Sequence, residues 1–426
     1  MRNNRLFESL LNKDFRLLWI SSVCAAFGMQ MRNIAQGWLI YDMTESPMAL
    51  TWVMLSFLIP SAIFSLVGGV IADRISKKNI MIYAQLLSAL ATCLLAYITF
   101  MGDVTFWHFI YFGIFNGAVG SVSIPASFAM VPEIVGQESL VNATALQTTS
   151  YNLSSILGPI LAGGMIALFA TGDTSATRSV GLVLFFIALL LILATVSMMF
   201  LTHTGKPKSD LETSSLEDLR EGFEFVLKEK LILGLLILGL VPAAFGKSIH
   251  WILPAFNEDV LGGGPEELGI LSAGMGVGAL FGSLCLARLG DFKAKGQMMF
   301  RLAWGWAVAI ALFTLTDNLF AAIVFGAFAA FFSSLFGSLH MSVMQLATPQ
   351  YIRGRVMSFI MLLAGIMPLA VLPVGAIAEY FSIEAALMFT AMMLGLSTWV
   401  LQRVFPGLKR IDQGYDPADK GESTRV

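Results

Sequence analysis

A single arginine stands near the middle of the first long apolar segment of this chain. Arg32 lies in the stretch AAFGMQMRNIAQGW, which runs from Ala25 to Trp38, and Gln36 follows one helical turn later. A guanidinium placed in hydrocarbon costs at least ~2.5–3.5 kcal/mol. Arg32 is therefore expected either to bond a carbonyl or a distant acid as a structural residue or, as we favour, to bind substrate or take part in coupling.

Other polar side chains recur inside apolar segments at spacings that put them on one helix face. Thr144, Gln147, Ser150, Tyr151 and Ser154 form such a stripe. The stripe predicts the lining of a water-accessible cavity, although any one hydroxyl in it can instead bond its own helix backbone. Together with Arg32, the candidate substrate-binding or coupling residues are Gln36, Asn116, Gln147, Tyr151, Lys247, His250 and His340.

The ionisable candidates leave the identity of a proton carrier open. Lys247 can serve the cavity or extend its amine to the membrane surface, and His250 and His340 can be packing residues or proton carriers. Glu379 and Asp42, near the ends of apolar segments, are further candidates. No Asp or Glu lies clearly in the middle of an apolar segment. The cavity is therefore expected to be basic, and its cargo anionic, phenolic or neutral.

The sequence carries no pattern of an enzyme or of a metalloprotein. It has no nucleophile elbow, no metal-ligand set and no phosphate-binding glycine loop. Its three cysteines, Cys24, Cys93 and Cys285, are scattered through apolar segments. We therefore expect no enzymatic activity, no cofactor, no metal site, no nucleic-acid partner and no ATP-driven pumping.

The elements that must position these residues are membrane-spanning helices. Of the 426 residues, 57% are hydrophobic and 13% are charged, and the mean hydropathy is +0.77. No soluble domain of this size buries so much apolar surface, so the composition predicts an all-α membrane protein. Apolar stretches of about 20 residues or more predict twelve spans, near 15–41, 48–71, 79–101, 104–130, 141–170, 177–202, 231–255, 266–289, 298–316, 319–346, 355–380 and 383–404.

A polar segment divides the spans into two sets of six. The expected domains are an N-terminal bundle at 1–202, a cytoplasmic linker at 203–230, a C-terminal bundle at 231–404 and a cytoplasmic tail at 405–426. Apolar residues recur at helical spacing within the linker and predict an amphipathic helix on the inner membrane surface. These residues are Leu216, Leu219, Phe223, Val226 and Leu227.

The placement of Lys and Arg orients the chain in the membrane. If both termini are cytoplasmic, the cytoplasmic segments hold 23 of the 26 Lys and Arg residues, as the positive-inside rule requires. The other three are Arg32, Lys247 and Arg178. We therefore expect a multi-pass protein of the plasma membrane, which is the inner membrane in a Gram-negative cell, with both termini inside.

The two halves of the sequence repeat each other at an offset of 218 residues. AAFGMQMR at Ala25–Arg32 recurs as AAFGKSIH at Ala243–His250, and Asp73 corresponds to Asp291 at the same offset. Duplicated six-helix halves place a substrate site between them, near the midplane of the membrane. The first and seventh spans are thus expected to face each other across a pseudo-two-fold axis, with their basic groups in a wet central cavity.

These features resemble the major facilitator superfamily over essentially the whole chain. GGVIADRISKK, from Gly68 to Lys78, is similar to the signature of the loop between spans 2 and 3 in that family, with Ser76 in place of its second glycine. The resemblance implies two pseudo-symmetric six-helix bundles and a conformational latch, although the same charges can simply mark the cytoplasmic side. The latch residues would be Gly69, Asp73, Arg74, Lys77, Lys78 and Asp291.

Two motifs bear on the direction of transport. GPILAG, with Gly158, Pro159 and Gly163, resembles the antiporter signature of span 5 and so implies export, with ordinary small-residue packing as the alternative. In span 4, GIFNG has Gly113 where many drug–proton antiporters carry arginine, and Asn116 where they carry glutamine. The proton role of that arginine is therefore not implied here.

Three further stretches resemble the branch of the superfamily that holds the enterobactin exporter and the macrolide efflux pumps. They are NKDFRLLWISS, VPEIVGQESLVNATALQTTSYNLSSILGPILAG and IRGRVMSFIMLLAGIMP. The resemblance implies efflux of a small organic molecule, drug-like or siderophore-like, driven by proton entry.

We therefore expect a secondary active transporter that exports a small anionic or neutral organic molecule by proton antiport and alternating access. Its expected partners are that molecule, protons and membrane lipids, and the protein is expected to be a monomer. Uptake of an anionic nutrient on the same fold is the alternative within transport. A non-transporting membrane sensor or assembly factor is the alternative outside it.

Overall fold

The structure, a computed structural model, is helical, with no strand among the residues it describes. Those residues are 9–170, 176–205, 223–289, 294–349, 352, 356 and 367–408. For 65–74 and a few other helical positions, only the backbone is described.

Five helices build the first half of the chain. They are α1 (Lys13–Thr44), α2 (Pro47–Arg74), α3 (Lys77–Met101), α4 (Phe106–Phe169) and α5 (Ala176–Met199). The long α4 contains both the fourth and the fifth predicted spans, and the connection between them is helical rather than a loop. Only Gly136 departs from helical geometry there, with a φ of 68° that suits glycine. Gly136 thus divides α4 into two arms, 106–135 and 137–169.

Seven helices build the described part of the second half. They are α6 (Lys230–Gly246), α7 (Ile249–Ala255), α8 (Pro265–Leu289), α9 (Lys295–Thr314), α10 (Leu319–Ala347), α11 (Val371–Tyr380) and α12 (Ile383–Val404). A π-helical turn, Phe256–Val260, follows α7, and a 3-10 turn, Met367–Ala370, precedes α11.

The seventh span is broken where its repeat counterpart is continuous. Helix α1 runs without interruption, whereas the seventh span stops at Gly246 and resumes at Ile249. Pro242 and Pro254 flank this break, and the equivalent positions of α1 carry no proline. Proline removes a helical hydrogen bond. The two repeats therefore differ here: the first span is a continuous helix and the seventh is broken.

Nine segments among the described residues are long and apolar enough to cross a membrane. Helix α1, the first arm of α4 and the segment that ends in α11 take the places of the other three predicted spans. Helix α1 has sufficient length, at 32 residues, but Arg32 and its polar neighbours lower its hydropathy. The chain is an all-α multi-pass membrane protein, as predicted. Residues 355 and 357–366 of the span predicted at 355–380 and the first part of the linker helix lie outside the described residues, and of the linker helix only 223–228 is seen to be helical.

The two halves share one apolar core at one side of the membrane and keep separate cores at the other. We call the side that holds the start of α1, the turn between α2 and α3 and the end of α5 the linker side, and the opposite one the far side. On the far side a single cluster joins Trp38 of the first half to Phe256 of the second. On the linker side Phe15 packs within the first half and Phe300 within the second. Among the described residues, the halves are therefore joined through the far side.

Small residues allow α4 and α8 to cross closely along this junction. A Cβ on Gly163 would collide with the carbonyl oxygen of Pro265, and one on Gly269 would lie 2.6 Å from the carbonyl oxygen of Pro159. Deeper in the membrane, a Cβ on Gly276 of α8 would lie 2.8 Å from a backbone carbonyl oxygen of α4. Membrane helices approach closely through such small residues, so the contact between the halves continues from the far side toward the middle.

Candidate functional site

A cavity of about 850 Å³ lies inside the first half, toward the linker side. It is bordered by α1, α3, both arms of α4 and one residue of α5, it is partly open, and no charged side chain among the described residues lines it. Methionine and alanine side chains form its apolar walls. Its hydrogen-bonding groups come from Ser22, Gln85, Ser88, Ser123, Ser127, Thr144, Gln147, Thr148, Ser150 and Tyr151.

The stripe of the second α4 arm faces this cavity while also bonding its own backbone. Thr144 and Ser150 each donate to the carbonyl one turn earlier, at 2.8 and 2.9 Å, and the Ser150 oxygen also accepts a bond from the indole of Trp19 at 2.9 Å. Gln147 differs, because its buried Nε2 has no hydrogen-bond partner among the described residues. The stripe therefore both lines the cavity and bonds its own helix backbone. Gln147 retains a free donor among the described residues.

A smaller cavity of about 140 Å³ adjoins the first and contains Arg32 and Asn116. The two cavities share lining residues on four helices, including Met29, Ser88 and Ser123. The cavities share these residues because α1, α3 and the first arm of α4 lie side by side at this level. The guanidinium therefore stands at the end of a continuous, largely uncharged space.

Arg32 is half-buried and stacks on an aromatic ring rather than pairing with an acid. Its guanidinium carbon lies 5.6 Å from the centre of the Phe112 ring, and Asn116 donates to the Phe112 carbonyl oxygen at 3.1 Å. Among the described residues no carboxylate forms an ion pair with Arg32, and none lines either cavity. The positive charge is therefore available to a bound anion.

The remaining polar candidates of the first and seventh spans line neither cavity. Gln36 is partly buried, and its Nε2 has no partner among the described residues. Lys247 and His250 are exposed, at the break between α6 and α7. Helix α7 packs against α1 and α2, and Pro254 lies 3.0 Å from a Cβ built on Gly37. The first and seventh spans thus meet, as the repeat predicts, but the two cavities described lie on the first-half side of that meeting.

His340 is held within the second half rather than in a cavity. Its Nε2 lies 2.9 Å from the Leu235 carbonyl oxygen, and its ring stacks on Phe336 at 6.0 Å between centres. A Cβ on Gly239 would collide with the imidazole, so the ring fills the space that this glycine leaves. Among the described residues, no group of three or more His, Cys, Asp or Glu could hold a metal ion.

The described part of the predicted latch is bonded within the first half. Lys77 donates to Glu133 at 2.5 Å, and Lys78 donates to the carbonyl oxygens of Met199 and Leu201 at 3.0 and 2.6 Å. Gly69, Asp73 and Arg74 lie in the last turns of α2, where only the backbone is described, and Asp291 lies outside the described residues. The two lysines therefore join α3 to the centre of α4 and to the end of α5.

Two carboxylates on the linker side are stabilised in their charged form. Burial alone would raise the pKa of Glu133, but hydrogen bonds from Lys77 and His203 outweigh it and lower that pKa. Burial opposes the shift at Asp14 as well, and hydrogen bonds from Thr202 and the His203 backbone lower its pKa. Both acids are thus fixed as anions that join α1, α4 and the chain after α5.

Three hydrogen bonds between described residues join the halves on the far side. The Tyr41 hydroxyl donates to Asp259 at 2.6 Å, and the Ser46 hydroxyl and the Met48 amide donate to Glu379 at 2.7 and 3.2 Å. Sequence reasoning named Glu379 only as a possible proton carrier and missed the pair of Tyr41 and Asp259. Their separation of 218 residues, equal to the repeat offset, was the signal that could have found them.

The antiporter-type motif lies at the junction of three helices. A Cβ on Gly158 would lie 2.8 Å from that of Gln30 on α1, while Pro159 and Gly163 contact α8. Farther along, a Cβ on Gly113 would collide with the Ser56 hydroxyl of α2. The arginine that is missing from the fourth span would therefore find no room at this crossing, which gives a physical reason for that departure.

Comparisons with known proteins agree with this architecture. Residues 6–419 match the model of a family described as Transmembrane secretion effector. A relative from Shigella boydii serotype 18, named Enterobactin exporter EntS, is 26% identical over 351 residues, which cover 80% of this chain and 79% of that protein. The protein of the same name from Escherichia coli O157:H7 matches with the same identity and coverage.

Solved structures of low sequence identity share the fold. A bacterial homologue of the human lysosomal transporter Spinster, in an inward-facing and unoccupied conformation, aligns with a TM-score of 0.74 at 13% identity, covering 96% of this chain and 99% of that one. The nucleoside transporter NupG aligns with a TM-score of 0.70 at 14% identity, covering 92% and 98%.

Proposed function

Because this chain belongs to the Transmembrane secretion effector family of the major facilitator superfamily, we propose that it exports a small organic molecule by alternating access, driven by proton entry. It is a multi-pass transporter of the inner membrane and not an enzyme. Relatives named as enterobactin exporters support export as the direction of transport. They also support a drug-like or siderophore-like compound as the cargo.

One observation carries the proposal. The halves share an apolar core on the far side, while the cavity that leads to Arg32 lies toward the linker side. With both termini cytoplasmic, as the Lys and Arg distribution predicts, the linker side is the cytoplasmic one. A substrate would then enter from the cytoplasm and leave outward after the far-side contacts separate.

The far-side contacts are of a kind that can break and reform. Besides the shared apolar core, they include the bonds made by Asp259 and Glu379 and the close crossing at Gly163. Each of these hydrogen bonds has a small net free energy, about 1–2 kcal/mol, because water can replace either partner once the contact opens. A transporter must populate both of its conformations, so their free energies can differ by only a few kcal/mol, and contacts of this strength meet that condition.

The coupled proton has several candidate carriers. Asp42, Glu258, Asp259 and Glu379 lie on the far side, where external protons would reach them, and one carboxylate oxygen of Glu258 is buried without a partner among the described residues. His250, which is exposed at the break between α6 and α7, is the alternative proton carrier away from the far side. Substitution of each in turn, with protonophore-sensitive export as the readout, identifies the carrier.

Everted membrane vesicles test the direction and the driving force. Vesicles that contain the chain are energised by respiration and given 4-methylumbelliferyl β-D-glucuronide, whose accumulation is measured after hydrolysis to the fluorescent product. We expect accumulation that a protonophore abolishes. Arg32→Ala should reduce it at least tenfold, whereas Arg178→Gln, at an exposed position of α5, should leave it unchanged.

The alternatives give different results in the same system. Uptake of the compound by whole cells, with none by everted vesicles, would indicate import of an anionic nutrient. The absence of both transport and substrate counterflow for a panel of anionic and neutral compounds would indicate a non-transporting membrane protein.

A further inference from the structure

We infer that the first half alone forms the specificity site, and that its ligand has an uncharged, hydrogen-bonding body with a single anionic group placed against Arg32. This inference rests on the proposed function for its biological meaning, but it concerns binding and can be tested without transport. It is carried by the different chemistry of the two adjoining cavities.

The larger cavity suits the body of such a ligand. At about 850 Å³ it falls within the range of roughly 300–1,000 Å³ that is typical of sites for drug-sized molecules. Hydroxyl and amide groups from three helices line it, together with flexible methionines, and none of the described side chains in its lining carries a charge. Gln147 offers a buried donor that has no partner in the described part of the chain. A neutral ligand with hydroxyl or carbonyl groups would satisfy these groups.

The smaller cavity suits an anionic end. Its volume of about 140 Å³ is too small for a drug-sized body but accommodates a carboxylate. Arg32 is the one charged residue in its described lining, and Asn116 and Ser123 provide further polar groups. A guanidinium can form two parallel hydrogen bonds with a carboxylate, and Phe112 beneath it limits its positions.

The same chemistry limits the ligand to one anionic group. A second carboxylate would lie in the larger cavity among hydroxyls and amides, and the described lining offers no cation to pair with it. An ion moved out of water without a partner loses several kcal/mol of hydration. Lys247 and His250 line neither cavity and so supply no second positive charge to this ligand.

A matched pair of compounds tests the inference on the purified full-length protein. 4-Methylumbelliferyl β-D-glucuronide and 4-methylumbelliferyl β-D-glucoside share a hydroxylated body and differ in one group, a carboxylate in place of a hydroxymethyl. Binding to the protein in lipid nanodiscs is measured by calorimetry, with empty nanodiscs subtracted. We expect the glucuronide to bind the wild type at least tenfold more tightly.

Variants assign the preference to one residue. Arg32→Gln should weaken glucuronide binding until the two affinities lie within about twofold of each other. Arg32→Lys should keep part of the preference, because an ammonium retains the charge but not the paired hydrogen bonds. Gln147→Leu should weaken both compounds alike. Arg178→Gln removes the same charge at a distance and should leave the preference intact.

Several outcomes would overturn the inference. They are failure of the wild type to bind either compound, equal binding of both, and a preference that survives Arg32→Gln. A preference lost equally in Arg178→Gln would show an effect of overall charge rather than a site. If Arg32→Gln does not purify, an unchanged preference in Arg32→Lys has the same meaning. A preference that depends on Arg32 in a protein that exports nothing would leave the site standing and refute the proposed function.

Discussion

The hydroxyl of Tyr41 donates to the carboxylate of Asp259 over 2.6 Å, and these residues are 218 positions apart, the offset that relates the two sequence repeats. Equivalent positions of a two-fold repeat can touch only close to the symmetry axis. The bond therefore marks where the first and seventh spans cross that axis on the far side. Its two ends differ in chemistry, which makes one half the donor and the other the acceptor.

Tyr41→Phe should favour opening of the far side. The change removes the donor and leaves the ring, so packing is conserved while the bond to a charged acceptor is lost. A loss of about 1–2 kcal/mol corresponds to roughly a 5- to 30-fold shift between the two conformations. Labelling of Ala49→Cys, a buried position of the shared core, by an impermeant maleimide measures this shift.

The labelling is done after Cys24, Cys93 and Cys285 are replaced by serine. Tyr97→Phe, at an exposed position of α3, is the matched control and should label at the starting rate. An unchanged rate in Tyr41→Phe would show that the bond does not hold the far side closed.

Gly163→Val should impair transport far more than the same change at the neighbouring residue. A side chain at Gly163 collides with the backbone of Pro265, which cannot yield as a flexible side chain would. Gly164 is exposed, and a Cβ there meets nothing within 4 Å. We expect at least a tenfold lower export rate for Gly163→Val and near-normal export for Gly164→Val. Equal activities would mean that α4 and α8 do not close tightly during the cycle.

Glu133→Gln should lower thermal stability in a pH-dependent way. Folding lowers the pKa of this carboxyl from its ordinary value of 4.5. Its bond to Lys77 therefore contributes stability that is present above that value and is lost as the pH falls through the folded pKa. For a partly exposed pair we expect a melting temperature lower by about 1–2 °C at pH 7, and a difference from wild type that shrinks steadily as the pH falls below 4.5.

Thermal-shift measurements across this pH range check the prediction, with Asp103→Asn as a control at an exposed turn. A difference between Glu133→Gln and wild type that grows as the pH falls would contradict it, because that sign belongs to a carboxyl whose pKa is raised by folding.

His340→Ala should reduce stability without altering proton coupling. The ring fills the space beside Gly239 and bonds the Leu235 carbonyl oxygen, so its removal leaves a void and removes a second hydrogen bond from that oxygen. Losses of about 2–4 kcal/mol are typical of such changes. The pH dependence of export, measured in everted vesicles at matched protein levels, should keep the wild-type shape. A shifted pH profile would instead identify His340 as a proton carrier.

Periodicity and charge placement were enough to predict most of the helices. The start of α3 at Lys77 and that of α12 at Ile383 lie within two residues of the predicted span boundaries, because a bilayer sets a minimum apolar length and a polar flank on each side. The same rules failed between the fourth and fifth spans. There the polar residues around Glu133 suggested a loop, but the backbone needs only the left-handed turn at Gly136.

The candidate site was only partly within reach of the sequence. The helical spacing of Gln147 and Tyr151 predicts a common face, and both do line one cavity. The sequence cannot tell which helices enclose that face, so it grouped Lys247 and His340 with them. Three-dimensional packing puts Lys247 at an exposed helix break and His340 against Gly239 in the second half.

By itself, the sequence determined a duplicated, all-helical membrane protein with one arginine that needs a polar environment, because composition and spacing are properties of the chain alone. Tertiary structure decided that Arg32 stacks on Phe112 beside an uncharged cavity and that Tyr41 meets Asp259. The physical reason is that desolvation and hydrogen bonding depend on which helices are neighbours. Neighbours in a bundle are chosen by close packing at residues such as Gly163 and Gly113, whose effect appears only when two helices touch.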